Sequence, residues 1–201
     1  SVASRGLGDV YKRQLQLGTN YLGHFALTAA LMPLLKNGKD ARVVTLSSIA
    51  ARGGVIHFDD IQAVKNYQPM AVYSQSKLAC LMFAFELQRR SAAGNWGISS
   101  MAAHPGISRT NLLHNAPGRW SAAGIARSVL WFLFQPAAQG ALPALFAATS
   151  PDAKPGAYYG PDKMAETRGF PALAKTPPQA LDAVAAIKLW ELSEEYTGFR
   201  F

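Results

Sequence analysis

The chain is poor in several things that would each point to a function. It has a single cysteine, Cys80, so an internal disulfide framework is excluded and a reducing, cytoplasmic setting is expected. No window holds 18 uninterrupted apolar residues. The greasiest stretch, 128–148, is broken by Gln135, Pro136, Gln139 and Gly140, and reads as buried helix rather than a membrane-contacting segment. Charged residues make up only 16% of the chain, and acidic ones are outnumbered, leaving a net charge of +8. The lysines and arginines form no run beyond the pairs Lys12-Arg13 and Arg89-Arg90, and no aromatics interleave with them. Scattered surface charge is the reading, and nucleic acid is not an expected partner. No spacing of histidine, cysteine or carboxylates suggests a metal site.

What is present is a chain of 201 residues, 49% hydrophobic, enough for one compact domain with a real core. Residues 1–14 (SVASRGLGDVYKRQ) show neither a strand pattern nor a signal-peptide core, and Gly6-Leu7-Gly8 lacks the strand, third glycine and helix of a phosphate-binding fingerprint. They are expected to be a non-native junction, with 15–201 forming the domain proper.

Apolar residues at helical spacing predict a helix over 15–35: Leu17, Tyr21, Phe25, Thr28, then Leu31 or Met32, and Leu35, with Asn37-Gly38 as its stop. Arg42–Leu46 (RVVTL) reads as a buried strand closed by Ser47-Ser48. An irregular stretch, 50–70, precedes a second helix over 72–90, apolar at Leu78, Leu81, Met82, Phe85 and Leu87. A second buried strand covers 98–103 and ends in His104-Pro105-Gly106. Helical segments follow at 122–134 and 137–148, then a short last strand at 157–159 and an amphipathic helix over 179–196. This alternation predicts an α/β fold, a Rossmann-type doubly wound parallel sheet of about three strands, with ligands at the strands' carboxyl ends.

The chemistry-bearing pair is Tyr73 and Lys77, four apart on the second helix and so on one face. A phenol ordinarily holds its proton until about pH 10. An ammonium about 4 Å away favours the phenolate by roughly 4 kcal/mol at an effective dielectric of about 20, which brings proton exchange near neutrality within reach. The spacing occurs twice, and Tyr159…Lys163 is a decoy because Gly160-Pro161 between them forbids a helical turn. Ser48 ends the strand before the helix, where a hydroxyl can hold a substrate oxygen. Asn20 is a polar residue in an apolar helix, and Pro105-Gly106 with Thr110 follows the next strand end. Each has an ordinary alternative: a loop serine, a solvated asparagine, a turn with a cap.

Together these strings resemble a family. Asn20-Tyr21-Leu22-Gly23-His24-Phe25, Val43-Val44-Thr45-Leu46-Ser47-Ser48, Tyr73-Ser74-Gln75-Ser76-Lys77-Leu78 and His104-Pro105-Gly106-Ile107-Ser108-Arg109-Thr110 are similar, in content and order, to the short-chain dehydrogenase/reductases. The branch suggested is retinol dehydrogenase-like, because 25 residues separate Ser48 from Tyr73 and the segment 50–70 resembles that branch's insertion. The resemblance implies an NAD(P)-dependent oxidoreductase that interconverts an alcohol with an aldehyde or ketone, NADP being favoured over NAD. Tyr73 would donate or accept the proton, Lys77 would assist it and bind the nicotinamide ribose, and Ser48 rather than Ser47 would orient the substrate. Asn20 would hold a water linking Lys77 to solvent. Pro105, Gly106, Ile107 and Thr110 would wrap the nicotinamide. A lipophilic substrate is expected, lined by 50–70 and 111–134 with Trp120, Trp131 and Phe132, and a homo-oligomer would form through the helices at 15–35 and 72–90.

The glycine-rich turn of that family and its cofactor-selecting residue have no counterpart, so roughly 80 to 100 residues of βαβ structure are expected to be missing. A fragment of this kind is expected to be inactive and poorly soluble by itself, with an open sheet edge. The alternatives are a non-catalytic cofactor-sensing or binding protein on the same fold, and a basic nucleic-acid-binding domain.

Overall fold

The computed structural model describes residues 15–108 and 134–201. The first helix is continuous but uneven. Residues 15–17 lead into a π-helical turn, Gly18–Leu22, and then α1, Gly23–Asn37. In the π turn the N–H of Gly23 reaches back to the carbonyl of Gly18, one residue further than in an α-helix. That wider turn keeps Leu17, Tyr21 and Phe25 on one buried line at a uniform spacing of four. Further along, Met32 is buried and Leu31 is exposed.

Strand β1 (Arg42–Leu46) leads to a 3-10 turn at Ile49–Gly53, capped by Ser48, whose Oγ accepts the N–H of Ala50. A further short turn, Phe58–Asp60, lies in the loop before α2, Pro69–Gly94. Pro69 stands at the helix start, where its missing N–H is no loss, and Asn95 closes the far end in the left-handed region at φ 52°. Strand β2 (Ser99–Ala103), α3 (Ala137–Thr149), β3 (Tyr158–Lys163), β4 (Arg168–Leu173) and α4 (Ala183–Thr197) complete the described chain. Asp182 caps α4 by accepting from the N–H of Ala185.

The sheet order is β1-β2-β3-β4, with the first two pairings parallel and the last antiparallel. The fold is therefore α/β, and β4 corrects the expected wholly parallel, three-stranded sheet. Its sequence, Arg-Gly-Phe-Pro-Ala-Leu, has no alternating pattern and contains two residues that strands disfavour. It is a strand because it pairs at the sheet's edge, where Pro171 owes the ladder no donor. Strand β1 is also less buried than expected: as the opposite edge among the described strands, it leaves Leu46 exposed. The helical segment expected at 122–134 lies, but for Phe134, outside the described residues, as do residues 1–14.

Alternation in β2 divides the core. Ala102 packs with Leu78–Ala84, Leu87, Tyr21, Phe25 and Trp190 on one face. Met101 and Ala103 meet Ala147 and Tyr159 under α3 on the other. Helices α2 and α4 meet on the first face through an aromatic cluster in which Trp190 stacks on Phe83 at 5.7 Å and crosses Phe25 at 5.1 Å. The guanidinium of Arg90 sits over the same indole at 4.3 Å.

Candidate active site

Most side chains of α2 from Val72 to Leu87 are buried, but Tyr73 and Lys77 are only partly so. They open a window one helical turn long in the otherwise buried stretch 72–84. The Nζ of Lys77 donates to the carbonyl of Leu46 at 3.2 Å, which holds the ammonium at the carboxyl end of β1. Ser47 and Ser48 follow there, and their environments differ. Ser47 is buried and its Oγ donates to the carbonyl of Lys77 at 2.8 Å. Ser48 is half-buried and keeps its hydroxyl hydrogen unassigned to any acceptor among the described residues, its oxygen serving as the cap for Ala50.

Glycine brings the serine turn against the tyrosine helix. A Cβ on Gly54 would lie 2.6 Å from the carbonyl of Ser74, so only glycine permits this approach beside Tyr73. Gln75 ties down the rest of the segment 50–70: its Oε1 accepts the N–H of His57 at 2.9 Å and its Nε2 donates to the carbonyl of Ile61 at 2.9 Å. Gln75 is buried, so both bonds are sheltered from water. Along this segment and the start of α2 a cavity of about 380 Å³ opens, lined among others by His57, Asp59, Asp60, Lys65 and Gln75.

Asn20 is half-buried and bonded on its inner side. Its Nδ2 donates to Ser76 Oγ at 3.0 Å, and Ser76 donates to the carbonyl of Tyr73 at 2.8 Å. Its own carbonyl, lying in the π turn, accepts from the thiol of Cys80 at 3.0 Å and from Nδ1 of His24 at 3.1 Å. Burial pushes the Cys80 thiol up to about 11, with nearby Lys77 pulling the other way. Burial likewise pushes the Tyr158 phenol up to about 12, against its hydrogen bond with Ser47 and the charge of Arg52.

At the end of β2, Pro105, Gly106 and Ile107 are half-buried, and Gly106 takes φ +64°. A Cβ there would meet the carbonyl of Thr167 at 2.4 Å, so conformation and space both require glycine. Thr110 and Arg109 lie outside the described residues, as do Trp120, Trp131 and Phe132.

Sequence reasoning missed a cluster at this strand end. The side chain of His104 is fully buried and its Nε2 meets Glu166 Oε2 at 3.0 Å. Arg52 pairs with the same carboxylate oxygen, and Glu166 Oε1 accepts the N–H of Lys175 at 2.9 Å. Glu166 sits in a turn where Met164, Ala165 and Glu166 take φ of 49°, 54° and 67° in succession. Each such non-glycine residue costs about 1–2 kcal/mol, a strain the carboxylate's partners offset. No local pattern in Lys-Met-Ala-Glu-Thr signals a partner 62 residues away. The decoy pair separates as its sequence implies: Tyr159 is buried in β3 and accepts from the N–H of Lys154, while Lys163 is exposed at the strand's end.

A mostly parallel sheet flanked by helices, with hydroxyl-bearing and glycine turns at adjoining strand ends, places the chain among the doubly wound α/β proteins. The chain belongs to the short chain dehydrogenase family, whose model matches residues 11–118. Retinol dehydrogenase 14 of Mus musculus is 36% identical over 187 residues, covering 92% of this chain and 53% of the relative. Retinol dehydrogenase 12 of Homo sapiens is 34% identical over 194 residues, covering 94% and 55%. Polyprenol dehydrogenase of Homo sapiens is 36% identical over 187 residues, covering 90% and 53%. The chain thus spans about half the length of the curated relatives it matches. A crystal structure of an uncharacterized Mycobacterium Paratuberculosis protein aligns with a TM-score of 0.71 at 38% identity, covering 92% of this chain and 59% of that one. Among the described residues no helix is long and apolar enough to cross a membrane, and no group of three or more histidine, cysteine or acidic residues could hold a metal.

Proposed function

We propose that this protein is an NAD(P)-dependent oxidoreductase acting on a lipophilic alcohol and its aldehyde or ketone. The observation that carries this is the window on α2, where Tyr73 and Lys77 alone among consecutive buried residues 72–84 remain reachable, at a strand end that carries Ser48. Similarity to the retinol and polyprenol dehydrogenases supports an alcohol as substrate.

The described residues fit the nicotinamide end of such a cofactor. A partly exposed ammonium on Lys77 suits ribose hydroxyls, and the half-buried Pro105–Ile107 turn offers a glycine-lined edge beside it. When bound, the nicotinamide supplies or accepts the hydride. The chain's own residues do the rest. Tyr73 gives its phenolic proton to a carbonyl oxygen, or takes it from an alcohol, one helical turn from the ammonium of Lys77. Ser48 donates its hydroxyl hydrogen to the same oxygen. Asn20, anchored through Ser76, holds a water that links Lys77 to solvent. Thr110 completes the nicotinamide contacts in this reading, and NADP is favoured over NAD.

A homo-oligomer through the helices at 15–35 and 72–90 would use the outward leucines of the first, Leu27, Leu31 and Leu34, since α4 already covers the face that carries Tyr21, Phe25 and Phe83.

The test is turnover by the full-length protein with medium- and long-chain alcohols and aldehydes, following cofactor absorbance. Wild type turns over, and Tyr73→Phe loses about a thousandfold in kcat, within the range of general acid-base catalysis. Normal turnover by Tyr73→Phe would sink the assignment, and cofactor binding without any turnover would favour a sensing protein.

A further inference from the structure

We propose that Glu166, acting through His104, sets the conformation of the Pro105–Gly106 turn that grips the nicotinamide, and that Arg52 ties the serine turn to the same setting. This rests on the cofactor reading above and makes Glu166 and His104 positioning residues for it.

The geometry specifies a tautomer. Nδ1 of His104 accepts the N–H of Gly106 at 3.2 Å, so it carries no proton. The ring's proton is then on Nε2, where it faces the Glu166 carboxylate at 3.0 Å. One side of the imidazole thus reads the carboxylate and the other holds the amide of the turn. A second strap runs alongside, as the N–H of Ile107 donates to the carbonyl of Thr167 at 2.8 Å. The fit depends on glycine twice. Gly106 approaches Thr167 too closely for a side chain, and a Cβ on Gly160 would lie 2.0 Å from His104 Nε2.

Glu166 is aimed by backbone that residues other than glycine adopt only with strain, the left-handed run from Met164 to Glu166. Such strain is retained where the surroundings over-determine it, and it clusters at working sites. Both carboxylate oxygens are engaged, Oε1 accepting the amide of Lys175, and Oε2 meeting Nε2 of His104 and forming an ion pair with Arg52. Arg52 belongs to the 3-10 turn that Ser48 caps. One carboxylate therefore joins the turn after β1, the turn after β2 and the β3–β4 hairpin, the three segments that ring the proposed reaction.

The arrangement carries a pH sign. The groups facing His104 are Glu166, Arg52 and the ring of Tyr158, whose centroid is 5.2 Å away. Burial holds the imidazole below the ordinary histidine range, Glu166 opposes that, and Arg52 adds to it. Protonation would place an N–H on Nδ1 against the N–H of Gly106, two donors face to face. The turn's grip is then lost as the pH falls, and it is intact at neutrality.

The experiment uses the full-length protein with Glu166→Ala and Glu166→Gln, an amide having one acceptor oxygen where the carboxylate uses two. Nitrogen-15 NMR of the His104 ring reports the tautomer without cofactor. Fluorescence titration with reduced cofactor gives Kd, and steady-state kinetics gives the alcohol KM. The expected result is a single Nε2–H tautomer in wild type and a mixture in Glu166→Ala. Kd for the cofactor rises about tenfold in Glu166→Ala and by a smaller factor in Glu166→Gln, while the alcohol KM moves less than twofold. The acid limb of cofactor binding also shifts in Glu166→Gln, which serves if the alanine variant does not fold. A folded variant with unchanged ring signals and unchanged cofactor Kd overturns the proposal. Cofactor binding by wild type without turnover fails the catalytic reading alone, and no binding of either nicotinamide cofactor overturns both.

Discussion

The side-chain amide of Asn20 and the hydroxyl of Ser76 meet at 3.0 Å, across the junction of the first helix and α2. The same hydroxyl donates to the carbonyl of Tyr73, so a single serine links the polar residue of one helix to the acid-base residue of the other. Ser76 is completely buried, and removing its oxygen leaves the Asn20 amide without that acceptor. Ser76→Ala is expected to destabilise by about 1–3 kcal/mol. It should also lower kcat by roughly tenfold, the equivalent of about 1.4 kcal/mol in the barrier. Thermal melts and alcohol turnover measured together check both effects; an unchanged kcat with a lowered melting temperature would confine Ser76 to stability.

Gly160 faces His104 across a gap with no room for a methyl group, the added Cβ falling 2.0 Å from Nε2. Gly160→Ala must therefore displace either β3 or the imidazole. Overpacking of this kind costs about 1–3 kcal/mol, and here it should weaken cofactor binding as well. Chemical denaturation and cofactor titration are the measurements, and a variant as stable as wild type would show that the ring has space to move.

Trp190 is 1% exposed and touches Phe25, Phe83 and Phe201 while the guanidinium of Arg90 covers it. Trp190→Ala is expected to lose about 3–5 kcal/mol. Urea unfolding should show a lower midpoint with the slope preserved. A loss below about 1 kcal/mol would mean that α4 contributes little to the core.

Cys80 gives an alkaline prediction. Its thiol is pushed from the ordinary 9.0 up to about 11 by burial. As the pH rises through 9.0 the unfolded chain ionises and the folded chain does not, so stability is full below that value and falls progressively toward about 11. Cys80→Ala removes this contribution, and its stability should be flatter over the window. In native wild type the thiol should react with iodoacetamide at pH 8 far more slowly than in denaturant. Equal rates would place the thiol at the surface.

Much of the site is legible in local sequence because its parts sit at ends of regular elements. A β-branched run before Ser47-Ser48, a Tyr-x-x-x-Lys pair on a helix and a Pro-Gly turn after a strand can each be found by counting. The two serines show the limit of that reading. Only the structure shows Ser47 occupied by the Lys77 carbonyl and Ser48 half-open. The strand β4 was illegible because its strand character comes from pairing with β3, including Pro161 opposite Pro171, and not from its own residues. Arg52, His104 and Glu166 were missed for the same physical reason. Charge partners drawn from three turns leave no periodicity in the chain.

The wide turn at Gly18–Leu22 has a consequence for insertions and deletions. A π turn holds one residue more than the α-helix it interrupts, so the hydrophobic line of Leu17, Tyr21 and Phe25 and the inward amide of Asn20 share a phase that a uniform helix would break. Loss of one residue there would let the segment rewind as a regular α-helix, with the residues before it in nearly their present phase, since seven helical steps come within about 20° of two full turns. A single-codon deletion in this stretch is therefore expected to leave Leu17 facing the core while disturbing the contacts that Asn20 makes with Ser76 and Cys80 from within the turn.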